Sequence, residues 1–138
     1  MKRVLFLCTG NSCRSQMAEG WANALLAGKV KAFSAGTAPG PEVDKRAIKV
    51  MAEAGVDISR GRPKSVDEFK GAEFDLVVTV CSNAEKTCPA YWGKGKKLHR
   101  GFDDPGTVAG KDSDDETALP VYRRVRDEIK DFVEGLKI

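Results

Sequence analysis

A cysteine and an arginine six positions apart, Cys8 and Arg14, enclose Thr9-Gly10-Asn11-Ser12-Cys13, and Ser15 follows directly. These residue types at this spacing suit the capture of a tetrahedral anion by a nucleophile. Successive backbone N–H groups of Thr9, Gly10, Asn11, Ser12 and Cys13 can turn inward as an anion nest. Gly10 lets the backbone approach a ligand closely. Arg14 can grip two oxygens with its planar fork. A thiol ordinarily ionises near ~8.5, and positive surroundings at a helix start lower that value. Cys8 is therefore expected to be a thiolate at neutral pH, with Ser15 donating a further hydrogen bond to its sulfur. Cys13 fits no role beyond its place in the loop.

That chemistry needs a strand before the loop and a helix after it. Arg3 to Leu7 is a short apolar run that reads as a buried strand ending at Cys8. From Ser15 the pattern turns helical, with Met17, Trp21 and Ala24 on one face, Ala18, Ala22 and Leu25 on another, and Gly28 as a stop. Val30 to Ala35 reads as a second strand, and Thr37 to Pro41 as a loop. A helix is predicted from about Val43, carrying Ala47, Ile48, Met51 and Ala54, with Gly55 closing it. Ser65 to Glu68 has capping-box spacing and predicts a short helix. Phe74 to Val80 is the strongest strand and ends at Cys81; a further short strand is expected near Lys97 to His99. Gly101 to Leu119, with its acidic stretch Asp112 to Glu116, reads as loop. The last helix sets Tyr122, Val125, Ile129, Phe132 and Leu136 in an amphipathic stripe. Strands alternating with helices predict an α/β fold, a parallel sheet with helices on both faces, as one domain over residues 1–138.

Composition narrows the partners. The chain has 138 residues, 41% hydrophobic and 31% charged, with a formal net charge of +3. Basic residues are interspersed with acidic ones, so no nucleic-acid partner is expected. The apolar run at the start is too short for a signal segment or a span, so no membrane partner is expected and the protein is read as cytoplasmic and monomeric. In that compartment Cys8, Cys13, Cys81 and Cys88 read as thiols or catalysts rather than structural disulfides. With no CxxC pair and a single histidine, neither a metal nor another cofactor is expected.

Cys8-(five residues)-Arg14-Ser15 after a first strand resembles the signature of the low-molecular-weight tyrosine phosphatase fold. The segment CTGNSCRSQMAEGW (Cys8 to Trp21) is similar, almost word for word, to the thioredoxin-coupled arsenate reductase branch of that superfamily. So are SAG (Ser34 to Gly36), DIS (Asp57 to Ser59), DLVVTVC (Asp75 to Cys81), GFDDP (Gly101 to Pro105) and RVRDEI (Arg124 to Ile129). The resemblance covers nearly the whole chain. It implies a single three-layer domain with a four-stranded parallel sheet in the order 2-1-3-4, which makes the strands ending at Cys8 and Cys81 neighbours. It also implies that Asp104, ahead of Pro105, is the general acid; without it, Asp103 and Asp104 would read as turn residues.

The Cys81/Cys88 pair is what points to the reductase branch. The resemblance implies that arsenate, for which phosphate or sulfate would be a mimic, is attacked by Cys8. Cys81 and Cys88 then relay the oxidation as disulfides to thioredoxin. If residues 82–87 are helical, Cys81 and Cys88 lie about 10 Å apart along the axis, beyond the ~7 Å that a disulfide tolerates between Cα atoms. The segment would have to unwind. Two other readings stand beside this one. A phosphotyrosine phosphatase would use Cys8, Arg14 and Asp104 alike, but here Gly106-Thr107-Val108 supplies no aromatic platform after the Asp-Pro pair. A non-catalytic anion or redox sensor would bind without turnover. Some relatives bind potassium at positions matching Asn11, Glu19 and Ser34 with further Thr and Asp ligands. Arg62 and Lys64 stand at those last positions, so the expectation is a Lys64 ammonium paired with Glu19 in place of a potassium site.

Overall fold

The protein is described here from a computed structural model covering residues 1–81, 95–110 and 112–137. Strand β1 (Lys2–Cys8) is central, because Val4, Leu5, Phe6 and Leu7 are all fully buried and need cover on both faces. Each such side chain contributes roughly 1.5–3 kcal/mol on burial. β1 pairs in parallel with β2 (Val30–Gly36) on one side and with β3 (Leu76–Thr79) on the other, and β4 (Lys96–His99) extends the sheet from β3. The order is β2-β1-β3-β4, as the resemblance implies.

Both edges are blunted. On β2, the Asn23 amide accepts from Ala32 N–H at 2.9 Å and donates to Ala32 C=O at 3.2 Å. On β4, Lys96 and Lys97 are exposed. Ser34 faces helix α1 (Arg14–Leu25), so Phe33 points to the opposite face, where it meets Phe69 and Phe74 edge-on at 5.7 Å.

Helix α2 (Lys45–Glu53) starts at Asp44, whose carboxylate accepts from Arg46 N–H, and Gly55 follows it with φ +86°. The predicted helix at Ser65 is a single 3₁₀ turn, Val66–Phe69. Glu68 pairs with Arg62, and Ser65 Oγ accepts from Asp67 N–H.

Three expectations need correction. The strand ending near Cys81 is shorter than read, Leu76–Thr79. Ala24 and Leu25 are exposed at the end of α1, past the part that packs on the sheet. Gly101 to Leu119 is not all loop: α3 (Pro105–Ala109) lies within it, and α4 (Asp115–Glu134) begins four residues before Leu119. Acidic residues favour a helix start, where they meet unpaired N–H groups and the positive dipole end. Asp114 accepts from Thr117 N–H, and Asp115 and Glu116 occupy the first turn. Among the described residues no helix is long and apolar enough to cross a membrane.

Candidate active site

The parallel register brings the carboxyl ends of β1 and β3 side by side: Leu7 pairs with Thr79, and Val80 N–H donates to Leu7 C=O. Cys8 and Cys81 therefore lie at the same end of the sheet, the end at which ligands bind in open α/β folds. Cys8, Cys13 and Cys81 are buried. Cys88 lies outside the described residues.

Asn11 organises the loop. It is fully buried and adopts φ +52°, a left-handed conformation that Asn tolerates better than most side chains. Its backbone N–H donates to Cys8 Sγ at 3.1 Å, and its Nδ2 donates to Ser15 Oγ at 2.7 Å. Since Ser15 Oγ accepts there, its own hydrogen is available for Cys8 Sγ at 3.0 Å. The sulfur thus faces two donors. No side chain caps α1 behind Cys13, so its first turn is open to the loop side, where the Ser15 N–H also favours the Cys8 thiolate.

Two features of this loop leave little trace in the sequence. The first is Gln16, buried on the inner face of α1, whose Nε2 donates to Asn11 O, Asn11 Oδ1 and Arg62 O. A polar residue beside Met17 and Ala18 was the available signal. The second is the segment after β2, which docks on the outer side of the loop. N–H groups of Thr37, Ala38, Gly40 and Asp44 donate to the carbonyls of Cys8, Thr9, Gly10 and Ser12 at 2.8–3.1 Å. Those carbonyls are held away from the pocket. Gly36 permits the docking, because a Cβ there would lie 2.5 Å from Thr9 O.

Arg14 reaches the other wall. Its Nη1 donates to Phe102 O at 3.0 Å, and its Nη2 lies 4.0 Å from Asp104 Oδ2. Asp104 starts α3, accepting from Gly106 N–H at 3.3 Å and from the Thr107 hydroxyl at 3.0 Å, and its side chain is 45% exposed. Thr9 Oγ1 and Cys81 Sγ are 3.3 Å apart. The sequence-predicted residues Cys8, Thr9, Asn11, Arg14, Ser15, Cys81 and Asp104 are thus gathered at one end of the sheet.

The electrostatics correct one expectation. Positive surroundings do not by themselves set the Cys8 thiol low. Its hydrogen bond with Cys81 and its burial push it up, and Ser15 pulls it back only in part. Neighbouring sulfurs share protons, so the two titrate as a pair. Cys13 is also pushed up, first by burial and then by Asp44 and Asp104.

Each of the Lys64 and Glu19 charges favours the other, but burial dominates and raises the Glu19 carboxyl while lowering the Lys64 ammonium, and among the described residues no ion pair joins the two. The Lys64 backbone N–H also donates to Asn11 Oδ1 at 3.1 Å. The Lys64 ammonium itself donates to Arg62 O at 3.2 Å. Among the described residues there is no cluster of His, Cys, Asp and Glu able to hold a metal.

This geometry has relatives. A protein of Halalkalibacterium halodurans named "Arsenate reductase" is 46% identical over 93% of this chain and 89% of its own length. "Arsenate reductase 2" of Staphylococcus epidermidis is 45% identical over 99% of this chain and 96% of its own. A solved structure described as "An arsenate reductase in the phosphate binding state" superposes with a TM-score of 0.82 at 35% identity, covering 98% of this chain and 95% of that one. The profile of the low molecular weight phosphotyrosine protein phosphatases matches residues 3–137. With the loop, the sheet order and the full-length likeness in agreement, the chain belongs to the low molecular weight phosphotyrosine protein phosphatase family, alongside relatives named arsenate reductase.

Proposed function

We propose that this protein reduces arsenate to arsenite by a thiol relay, in the cytoplasm and as a monomer of one domain. The observation that carries the reading is the pairing of a second thiol, Cys81, with Cys8 at the same end of the sheet as the anion loop. A hydrolytic phosphatase has no use for that second sulfur. The names of the closely similar relatives, and the phosphate in a structural neighbour, support an arsenate-sized anion as ligand.

In the proposed reaction an arsenate dianion enters the nest of Thr9 to Cys13 N–H groups and the Arg14 fork. Its oxygen takes the Cys8 proton, which a thiol held up by its neighbour releases to a bound dianion more readily than to water. The Cys8 thiolate, held by Asn11 N–H and Ser15 Oγ, attacks arsenic. Asp104 donates a proton to the departing oxygen, which leaves as water. Cys81, as thiolate, then attacks Cys8 sulfur. The S–As bond breaks, its electron pair stays on arsenic, and arsenite leaves while a Cys8–Cys81 disulfide forms. Cys88 attacks Cys81 sulfur and frees Cys8, and a thioredoxin dithiol reduces the Cys81–Cys88 disulfide, restoring both thiols.

The test is a side-by-side assay. Arsenate-dependent oxidation of reduced thioredoxin is expected to exceed aryl phosphate hydrolysis by orders of magnitude. Robust aryl phosphate hydrolysis with no thioredoxin oxidation would instead assign a phosphatase. Binding of arsenate without arsenite release would assign a sensor.

A further inference from the structure

We propose that Tyr122 is a positioning residue of the anion pocket, joining the back of the Cys8–Arg14 loop to the turn that bears Asp104; this rests on the reading of that loop as an oxyanion site. Tyr122 lies on α4, 2% exposed, and its hydroxyl donates to Asp44 Oδ2 at 2.6 Å. Asp44 is the residue whose backbone N–H holds Ser12 O at 2.8 Å, while its Oδ1 accepts from Arg46 N–H at 2.8 Å. On the other side, a Cβ built at Gly106 would fall 3.2 Å from the Tyr122 oxygen, and Gly106 N–H donates to Asp104. One hydroxyl therefore bonds to the anchor of the loop and faces Gly106 at the base of the Asp-Pro turn, where little room is left for a side chain.

The groups facing this hydroxyl are Asp44, Arg46 and Cys13. Asp44 places negative charge behind a pocket meant for an anion, and its field reaches Cys13, the residue next to Arg14. A phenol proton committed to that carboxylate neutralises part of the charge and fixes the carboxylate's direction. The phenol itself stays neutral, pushed far up by burial and then by Asp44. Tyr122→Phe removes the proton and leaves the charge, so it should weaken anion binding. Removing the charge as well, in Asp44→Asn/Tyr122→Phe, should restore it, because Asn caps a helix as well as Asp does.

The experiment is calorimetric titration of inorganic phosphate into the reduced full-length protein at neutral pH. Y122F is expected to bind phosphate about fivefold or more weakly than the wild type. The double variant should return to within about twofold of wild type, and D44N alone should bind at least as well as wild type. Unchanged affinity in Y122F would overturn the proposal. So would an equal loss in Y122F and the double variant, which would mark a merely structural contact. If Y122F does not fold, D44N decides: weaker binding there overturns the electrostatic role. A wild type that binds no phosphate would defeat the reading of the pocket itself, and the proposal with it.

Discussion

The Cys8–Arg14 loop and the Asp103–Thr107 turn meet across Arg14, and they are held by different means. The loop is fixed from behind by four backbone hydrogen bonds, from Thr37, Ala38, Gly40 and Asp44, and from within by the buried amides of Asn11 and Gln16. The turn rides on a five-residue helix, and its Asp104 carboxylate is nearly half exposed and held by one N–H and one hydroxyl. A binding nest must be preorganised, because donors that need to reorient lose most of their value. An acid that meets a leaving oxygen late in the reaction can sit on a looser support. The fixed wall should therefore fail abruptly when altered, and the looser wall gradually.

The sharpest break is Cys8→Ser, which removes the attacking sulfur from an intact loop. Arsenite production should vanish while the melting temperature stays within a few degrees of wild type. Arg14→Ala comes next. It deletes the bidentate grip on the anion, and kcat/KM for arsenate should fall about 10²–10³-fold, as for other preorganised donors. On the looser wall, Asp104→Asn should lower kcat by roughly 10²-fold and leave phosphate affinity nearly unchanged. If it fell as far as Arg14→Ala in both parameters, the two walls would be equally preorganised.

Gly36→Ala tests the fixed wall from outside the pocket. The added methyl meets Thr9 O, so stability should drop by about 1–3 kcal/mol in urea melts, with weaker phosphate binding following from the displaced loop. The smallest effect concerns protons. Cys81 and burial raise the Cys8 thiol and Ser15 lowers it. Cys81→Ala should therefore move the midpoint of Cys8 alkylation to lower pH, and Ser15→Ala should move it to higher pH. Opposite signs would refute the pairing of the two sulfurs.

The fixed wall was also the more legible one. An apolar strand running into Cys8, a loop of Gly, Asn and Ser, and a helical pattern from Ser15 give local signals that agree with one another. The sheet order came from resemblance rather than periodicity. What stayed hidden is backbone chemistry: the docking of residues 37–44 on the loop uses N–H and C=O groups that carry no residue signature, and Thr37 to Pro41 reads only as loop. The start of α4 was misplaced because Asp112 to Glu116 resembles a solvated linker, although acidic residues also favour a helix N-terminus. The thiol of Cys8 was expected to be low because the loop's dipoles are visible in sequence, whereas the neighbouring Cys81 sulfur that opposes them is a tertiary fact. The link from Tyr122 to Asp44 spans 78 positions and has no local cue.

The most direct measurement is peptide mass mapping of the anaerobic, fully reduced protein after one equivalent of arsenate, with arsenite quantified in the same sample. One arsenite per chain and a Cys81–Cys88 disulfide are expected, with Cys8 again a thiol; Cys88→Ser should trap a Cys8–Cys81 disulfide. Stoichiometric arsenite with Cys81 still reduced, or a disulfide to Cys13 in place of the Cys8–Cys81 bond in that variant, would contradict the thiol relay.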